Sequence, residues 1–234
     1  MPLQRGPVLP YSVVAGVTPW GKRWVVASAK ITGSVFAPEP PKVYELFQEI
    51  LSEHPAYATI VVNSPVGFAD DPATGLRTCD VEAKKVLGRR GITVRRVPTR
   101  PTLVDGKDAS FDKLDAVTAM RLPVIKEVAE EMSPYRQRLV YEGHPELSFY
   151  VLNQDAPLRY SKLKEMGRDE RRDVLVTKVR GIESVIDSDI APRQHLLDAA
   201  ALLYSARRVF LHAAKRVPAE AEWDSEGLRM EIVF

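Results

Sequence analysis

Tyr11-Ser-Val-Val-Ala-Gly-Val17, Arg23-Trp-Val-Val-Ala-Ser-Ala-Lys-Ile31 and Ser34-Val-Phe36 stand one behind another near the start of the chain. Each run is short and rich in β-branched residues, the pattern of a strand. Thr32-Gly33 supplies a turn between the second and third, so the three predict an antiparallel meander. Pro38-Glu39-Pro40-Pro41 is then expected to stop the sheet, because proline lacks the N–H that a ladder needs. Val43, Leu46, Phe47, Ile50 and Leu51 repeat at helical spacing and predict an amphipathic helix over residues 41–54. Tyr57-Ala-Thr-Ile-Val-Val62 returns as a continuous apolar run, suited to a strand covered on both faces.

Further along, residues 63–75 read as a loop and residues 80–87 as a short helix. A second helical region covers residues 111–132, kinked or split at Pro123. Residues 137–142 read as a strand ended by Gly143. Helices are expected over residues 145–152, 169–179 and 192–213, and a last strand over residues 227–234. No repeat, low-complexity tract or Gly/Ser-rich linker divides the 234 residues. The expectation is therefore a single α/β domain over residues 1–234.

Composition narrows the class of protein. With 45% hydrophobic and 27% charged residues, the chain matches ordinary globular proteins and not disordered ones. No apolar run approaches the ~20 residues of a membrane-spanning helix. Met1-Pro2-Leu3-Gln4-Arg5-Gly6-Pro7 lacks the charged-then-apolar build of a secretory leader. A soluble, cytoplasmic protein without a membrane partner is expected, and its oligomeric state is left open. The single cysteine, Cys79, excludes an intramolecular disulfide and any zinc-knuckle spacing.

Net charge is +2, but the charges are segregated. Residues 77–100 hold eight basic and two acidic residues, and residues 159–180 hold eight basic and four acidic. The remainder is correspondingly acidic. Two such segments fit either an electrostatic footprint for a polyanion or the solvated faces of two helices.

Motif chemistry is mostly negative. No GxxxxGK[ST] phosphate loop, dinucleotide fingerprint or HExxH pair is present. Cys79 has Asp80 beside it and no local base, so packing is favoured over nucleophilic work. Two carboxylates stand out. Glu142 ends an apolar strand, where α/β folds place ligands, although a strand-end carboxylate can also cap the next turn. Asp198 is the only charge in Leu196-Leu-Asp-Ala-Ala-Ala-Leu-Leu-Tyr-Ser-Ala206. A carboxylate in so apolar a helix needs a partner, a proton or a metal, and a metal and a salt bridge to a neighbouring arginine weigh equally.

Tyr141-Glu142-Gly-His-Pro-Glu-Leu-Ser-Phe149 resembles a segment of the family called Domain of Unknown Function 429, predicted nucleases of the ribonuclease-H-like fold. The likeness continues through Leu152-Asn153, Pro157-Leu158, Ser161-Lys162, Gly167 and Arg171. It includes Ser64-Pro65-Val66-Gly67-Phe68, Arg77-Thr-Cys-Asp80, Leu87-Gly88, Leu197-Asp198-Ala199 and Gly227-Leu-Arg-Met-Glu-Ile232. The resemblance implies a mixed sheet opened by a three-strand antiparallel meander, with helices packed on both faces. It implies phosphodiester hydrolysis at carboxylates holding Mg²⁺ or Mn²⁺, hard cations that take oxygen ligands. Glu142 and Asp198 would then be catalytic metal ligands, with Glu146 a further ligand and His144 beside it. Arg77, Asp80, His144 and Lys162 would bind substrate. Lys84, Lys85, Arg89, Arg90, Arg95 and Arg96 would contact the backbone of a nucleic-acid partner.

Two positions depart from the family pattern. Thr18 and Asn63 stand where it has aspartates, and each offers a neutral oxygen in place of a charged one. Asp70 and Asp71 lie just beyond the loop, within chain reach of the same site. Three readings follow: a metal-dependent nuclease, a non-catalytic nucleic-acid-binding protein on the same fold, and, last, a phosphotransferase. The last needs a glycine-rich turn after the first strand, for which Pro19-Trp20 is a poor substitute.

Overall fold

A computed structural model describes residues 10–72, 76–104 and 112–234. Positions 1–7, read above as lacking a leader's build, and the start of the expected helix at Phe111 lie outside the described residues. The sheet opens with β1 (Ser12–Trp20), β2 (Arg23–Thr32) and β3 (Val35–Pro38), paired antiparallel as the meander predicts. Next along the chain is β4 (Lys42–Tyr44), which also pairs with β2. β5 (Tyr57–Val62) and β6 (Val140–Glu142) add in parallel on the other side, giving the order β3-β2-β1-β5-β6. An antiparallel meander whose first strand pairs in parallel with later ones is the ribonuclease-H-like arrangement. A two-stranded sheet of β7 (Arg216–Trp223) and β8 (Arg229–Val233) continues the edge through a Gly143–Val233 bridge.

The helices are α1 (Phe47–Leu51), α2 (Thr78–Leu87), α3 (Arg100–Val104), α4 (Ala116–Glu131), α5 (Pro145–Leu152), α6 (Glu165–Lys178), α7 (Glu183–Ile186) and α8 (Arg193–Phe210). Alternation along the strands sends Val14, Val25 and Ala27 to one face, where α6, α7 and α8 bury Leu175, Val185, Leu197 and Leu202. Val13, Ala15, Val17 and Trp24 face the other way, onto Phe47 of α1 and Val124 and Val128 of α4. Helices thus cover both faces. Each fully buried leucine of α8 contributes about 1.5–3 kcal/mol relative to exposure. β1 and α8 touch at Gly16, where a Cβ would stand 2.1 Å from the Leu203 nitrogen and 2.3 Å from the Ala199 carbonyl oxygen.

Several boundaries differ from expectation. The helix over residues 41–54 is β4 followed by the single turn of α1. Val43 and Tyr44 take cross-strand partners in β2, Val25 and Trp24, and Leu46 is exposed rather than inward. The proline run does not end the sheet: Pro38 closes β3 opposite Ala29, and Glu39 still donates to Ser28. Both segments lie at the edge of β2, where a missing donor faces no partner. Helix α4 runs unbroken through Pro123, with Asp115 capping it by accepting from the Thr118 nitrogen. Only Val140–Glu142 of the strand expected over residues 137–142 is extended; Arg136–Arg138 form a 3₁₀ turn. Among the described residues, no helix is long and apolar enough to cross a membrane.

A cationic cavity at the strand ends

Because β1, β5 and β6 run in parallel, Thr18, Asn63 and Glu142 arrive at the same end of the sheet. The Asn63 amide donates to the Thr18 hydroxyl at 3.1 Å. The close crossing at Gly16 brings α8, and with it Asp198, against this end. The four positions singled out in the sequence therefore converge, but each carboxylate arrives with cations already attached.

Glu142 belongs to a closed knot. Arg77 donates from Nε and Nη2 to Asp80 (2.9 and 2.8 Å), from Nη1 and Nη2 to Glu142 (2.9 and 2.6 Å), and from Nη1 to the Gly67 carbonyl (2.7 Å). Every N–H of the guanidinium is matched. Glu142 Oε2 also accepts from the Val66 nitrogen at 3.0 Å. Burial pushes the Glu142 carboxyl up, and the Asp80 carboxylate adds to this against the pull of Arg77. Cys79 sits beside the knot, and burial pushes its thiol up too, so it stays a neutral packing residue.

Glu146 is held between two arginines: Arg171 Nη2 at 2.5 Å, and Arg90 Nε and Nη2 at 3.2 Å. Burial alone would raise its carboxyl, but Arg171 and Arg90 hold it below the usual range. Arg171 is wholly buried and also donates to the Tyr160 and Gly167 carbonyls, fixing the segment that carries Lys162. His144 caps α5. Its Nδ1 accepts from the Glu146 nitrogen and its Nε2 lies 3.2 Å from the Thr93 carbonyl, which makes Nε2 the protonated atom. Burial keeps the ring neutral by lowering its pKa.

Asp198 differs from the other two. Its Oδ2 accepts from Lys162 Nζ at 2.5 Å, whereas Oδ1 is buried and has no hydrogen-bond partner among the described residues. Asp198 is thus salt-bridged, as one expectation had it, but to a lysine from a loop and not to an arginine. Arg121 on α4 lies within electrostatic reach of Asp198 and donates to the Asn63 carbonyl at 2.6 Å. Its Nε and the Ser64 hydroxyl are likewise buried and unpartnered among the described residues. Burial lowers the pKa of the Arg121 guanidinium, opposed by Asp198.

Part of this cluster borders a cavity of about 530 Å³. Arg90, Arg95, Arg96, Arg121, Lys162 and His144 line it with Asp80, Glu142 and Glu146, together with Ser64 and the apolar side chains of Ile92, Val94, Val117, Ile125 and Leu163, so its cations outnumber its carboxylates. A second cavity of about 470 Å³ shares Ile92, Val94, Arg95 and Arg96 with the first and adds Lys84. Lys85 and Arg89 are exposed and border neither cavity. Asp70 bonds Ser225 and lies 3.7 Å from Arg100, away from this site.

The donors do not fit a divalent cation. Arg77, Arg90, Arg171, Arg121 and Lys162 already outnumber Asp80, Glu142, Glu146 and Asp198. A metal shared by these carboxylates would have to displace Arg77 from Glu142 and sit beside Lys162 on Asp198, adding positive charge to a site already rich in buried cations. Among the described residues no group of three or more His, Cys, Asp or Glu is placed to hold an ion. The metal set expected from the resemblance, Glu142, Asp198 and Glu146, is thus three separate ion pairs. Sequence reasoning missed Arg121. Its signal was present: it lies four residues from both Val117 and Ile125, a charge on an apolar helix face.

Fold and site together define a ribonuclease-H-like α/β protein with a cationic cavity at its strand ends. The chain belongs to the family described as Protein of unknown function (DUF429), whose model matches residues 16–223. No curated protein matches it. Two solved structures that match are Thermus thermophilus RuvC and T. thermophilus RuvC in complex with Holliday junction substrate. Each is 14% identical and covers 87% of this chain and 98% of its own, with TM-scores of 0.37 and 0.38 respectively. The fold assignment rests on strand order and not on these likenesses.

Proposed function

We propose that this protein binds nucleic acid through its phosphates and does not cleave it by a metal-dependent route. The observation that carries this reading is the excess of positive charge at the strand ends. Arg121 and Arg96 border the cavity with no carboxylate paired to either among the described residues. The two cavities share a wall, and Lys84, Arg95, Arg96, Arg121 and Lys162 border one or both, Arg95 being paired with Asp115; a basic track that spans two cavities suits a chain of phosphates. Such contacts hold a strand without reading its sequence.

The test is fluorescence anisotropy with labelled single-stranded DNA and RNA over a salt series. Affinity is expected to fall steeply with salt, as counterion release requires. Binding indifferent to salt overturns the reading. A second reading, the metal-dependent nuclease, is favoured by Asp198 Oδ1, which is buried without a hydrogen-bond partner among the described residues at the strand end that also carries Thr18 and Asn63. Titration with Mn²⁺ by calorimetry separates the two. No saturable heat supports the metal-free reading. Saturable binding that is lost in Asp198→Asn, with strand cleavage, overturns it.

A further inference from the structure

The cavity is polar at its base and apolar at its mouth, and the two halves call for different parts of one ligand. At the base, two hydrogen-bond donors are buried without partners among the described residues, Arg121 Nε and Ser64 Oγ. They are joined through the backbone, because Arg121 bonds the carbonyl of Asn63, the residue before Ser64. A buried donor without an acceptor costs free energy, and a group made only of acceptors removes that cost. Lys162 stands on the same lining, its side chain 30% exposed. At the mouth, Ile92, Leu163 and Val117 are 82%, 76% and 40% exposed. Three bare aliphatic side chains around a charged hollow are a surface for a flat apolar body.

A volume of about 530 Å³ is that of a single-molecule pocket and too small for a duplex. A phosphodiester within a strand presents one negative charge. A phosphomonoester presents up to two, with three free oxygens that reach several donors at once.

We propose that the cavity captures the phosphomonoester end of a nucleic-acid strand, with the phosphate on Arg121, Ser64 and Lys162 and the terminal base against Ile92, Val117 and Leu163. This rests on the nucleic-acid reading above and goes beyond it: the shared track holds the strand, and the deep cavity recognises its end. A free nucleoside monophosphate carries the same chemistry and is the alternative source.

The experiment compares four probes by anisotropy or competition at one salt concentration. They are an oligonucleotide with a 5′-phosphate, the same with a 3′-phosphate, the same with hydroxyl ends, and a free nucleoside monophosphate. One phosphorylated end is expected to bind about tenfold to a hundredfold tighter than the hydroxyl ends, the range of hydrogen bonds to a charged group. Arg121→Met is expected to erase that preference and, because Arg121 also belongs to the shared basic lining, to weaken the hydroxyl-ended strand as well, but by less than the phosphorylated one. Because Arg121 is largely buried, Ile92→Ser provides a second test at an exposed position, removing the apolar contact without adding charge, and is expected to weaken the phosphorylated end more than the hydroxyl-ended strand. Equal affinity for all three oligonucleotides overturns the end-capture proposal while leaving nucleic-acid binding in place. Tight binding of the monophosphate alone supports the cavity chemistry and overturns the nucleic-acid reading.

Discussion

Two buried charge clusters lie side by side at the strand ends and are built on different terms. In the Arg77–Asp80–Glu142 knot every guanidinium N–H has an acceptor, and the three side chains are 1%, 2% and 7% exposed. In the Asp198–Lys162–Arg121 group, Asp198 Oδ1 and Arg121 Nε find no partner among the described residues, and Lys162 opens onto the cavity. The first is complete without a ligand. The second has an unmet donor, Arg121 Nε, which a bound anion would satisfy, and an unmet acceptor, Asp198 Oδ1, which it would not. Closeness of a carboxylate to a strand end thus says little about catalysis until its partners are counted.

The sharpest break of this contrast is Arg77→Met. It leaves Asp80 and Glu142 buried without their cation, and a loss of about 3–5 kcal/mol is expected. In a chain of this size that lowers the unfolding midpoint by roughly 10 °C or more. Protonating the abandoned carboxylates should recover part of the loss, so the deficit in a urea titration shrinks at low pH. Lys162→Met, by contrast, removes one partly exposed partner of Asp198 and is expected to cost less. Equal losses from the two would abolish the distinction between a closed and an open cluster.

Gly16→Ala comes next. The new Cβ would meet backbone of α8 at 2.1 and 2.3 Å, and backbone cannot swing aside as a side chain can. A loss of about 3 kcal/mol is expected, with α8 displaced from β1. Since α8 carries Asp198, anion binding should fall together with stability. The Arg77 knot, held by α2 and β6, should keep its geometry, which a crystal structure of the variant would show.

Acid should act with a particular sign. His144 has a pKa held below its ordinary 6.5 by burial, so its contribution to stability is complete above that value. The contribution is lost as pH falls below 6.5 and the buried ring must take a proton. Glu146 is held below 4.5, so its share is present above that pH and is lost as pH falls further. Glu142 runs the other way: its raised pKa makes the ionised form costly near neutrality, and acid relieves that cost. Urea midpoints are therefore expected to drop from pH 7 to pH 5, and His144→Gln should flatten that slope. A wild-type midpoint that does not move in this window would contradict a buried neutral His144.

The parts of the fold that were legible in the sequence are those whose burial is all-round or alternates cleanly. The meander, β5 and α8 have such patterns, and residues 192–213 were misjudged only at their ends. Residues 41–54 misled because Val43 and Phe47 satisfy a helical period while belonging to a strand and a separate turn. β7 was missed because Pro218 and alternating Glu and Ala leave it half exposed and poor in β-branched residues. For the site, Glu142 and Asp198 announced themselves as charges in apolar surroundings. Their partners Arg77 and Lys162 entered only through the resemblance, as substrate contacts, and the pairings went unseen because they span 65 and 36 residues along the chain. No local pattern couples residues that only the parallel arrangement of β1, β5 and β6 brings together.

The smallest effect tests the track against the rest of the basic surface. Arg96 borders both cavities, donates to the Pro72 carbonyl and has no carboxylate on it among the described residues. Arg89 belongs to the same basic segment but is exposed and outside both cavities. Surface arginines of either kind contribute little to folding, so unfolding midpoints of Arg96→Ala and Arg89→Ala should stay within about 0.5 kcal/mol of wild type. Their binding should part company. Arg96→Ala is expected to reduce the slope of log affinity against log salt by about one, the loss of a single phosphate contact, uniformly across strand sequences. Arg89→Ala should leave that slope unchanged, because a charge off the track releases no counterion when the strand binds. A slope that fell equally in both would mean that the protein attracts polyanions by its overall basic segment. The contrast between the two clusters would then explain stability alone.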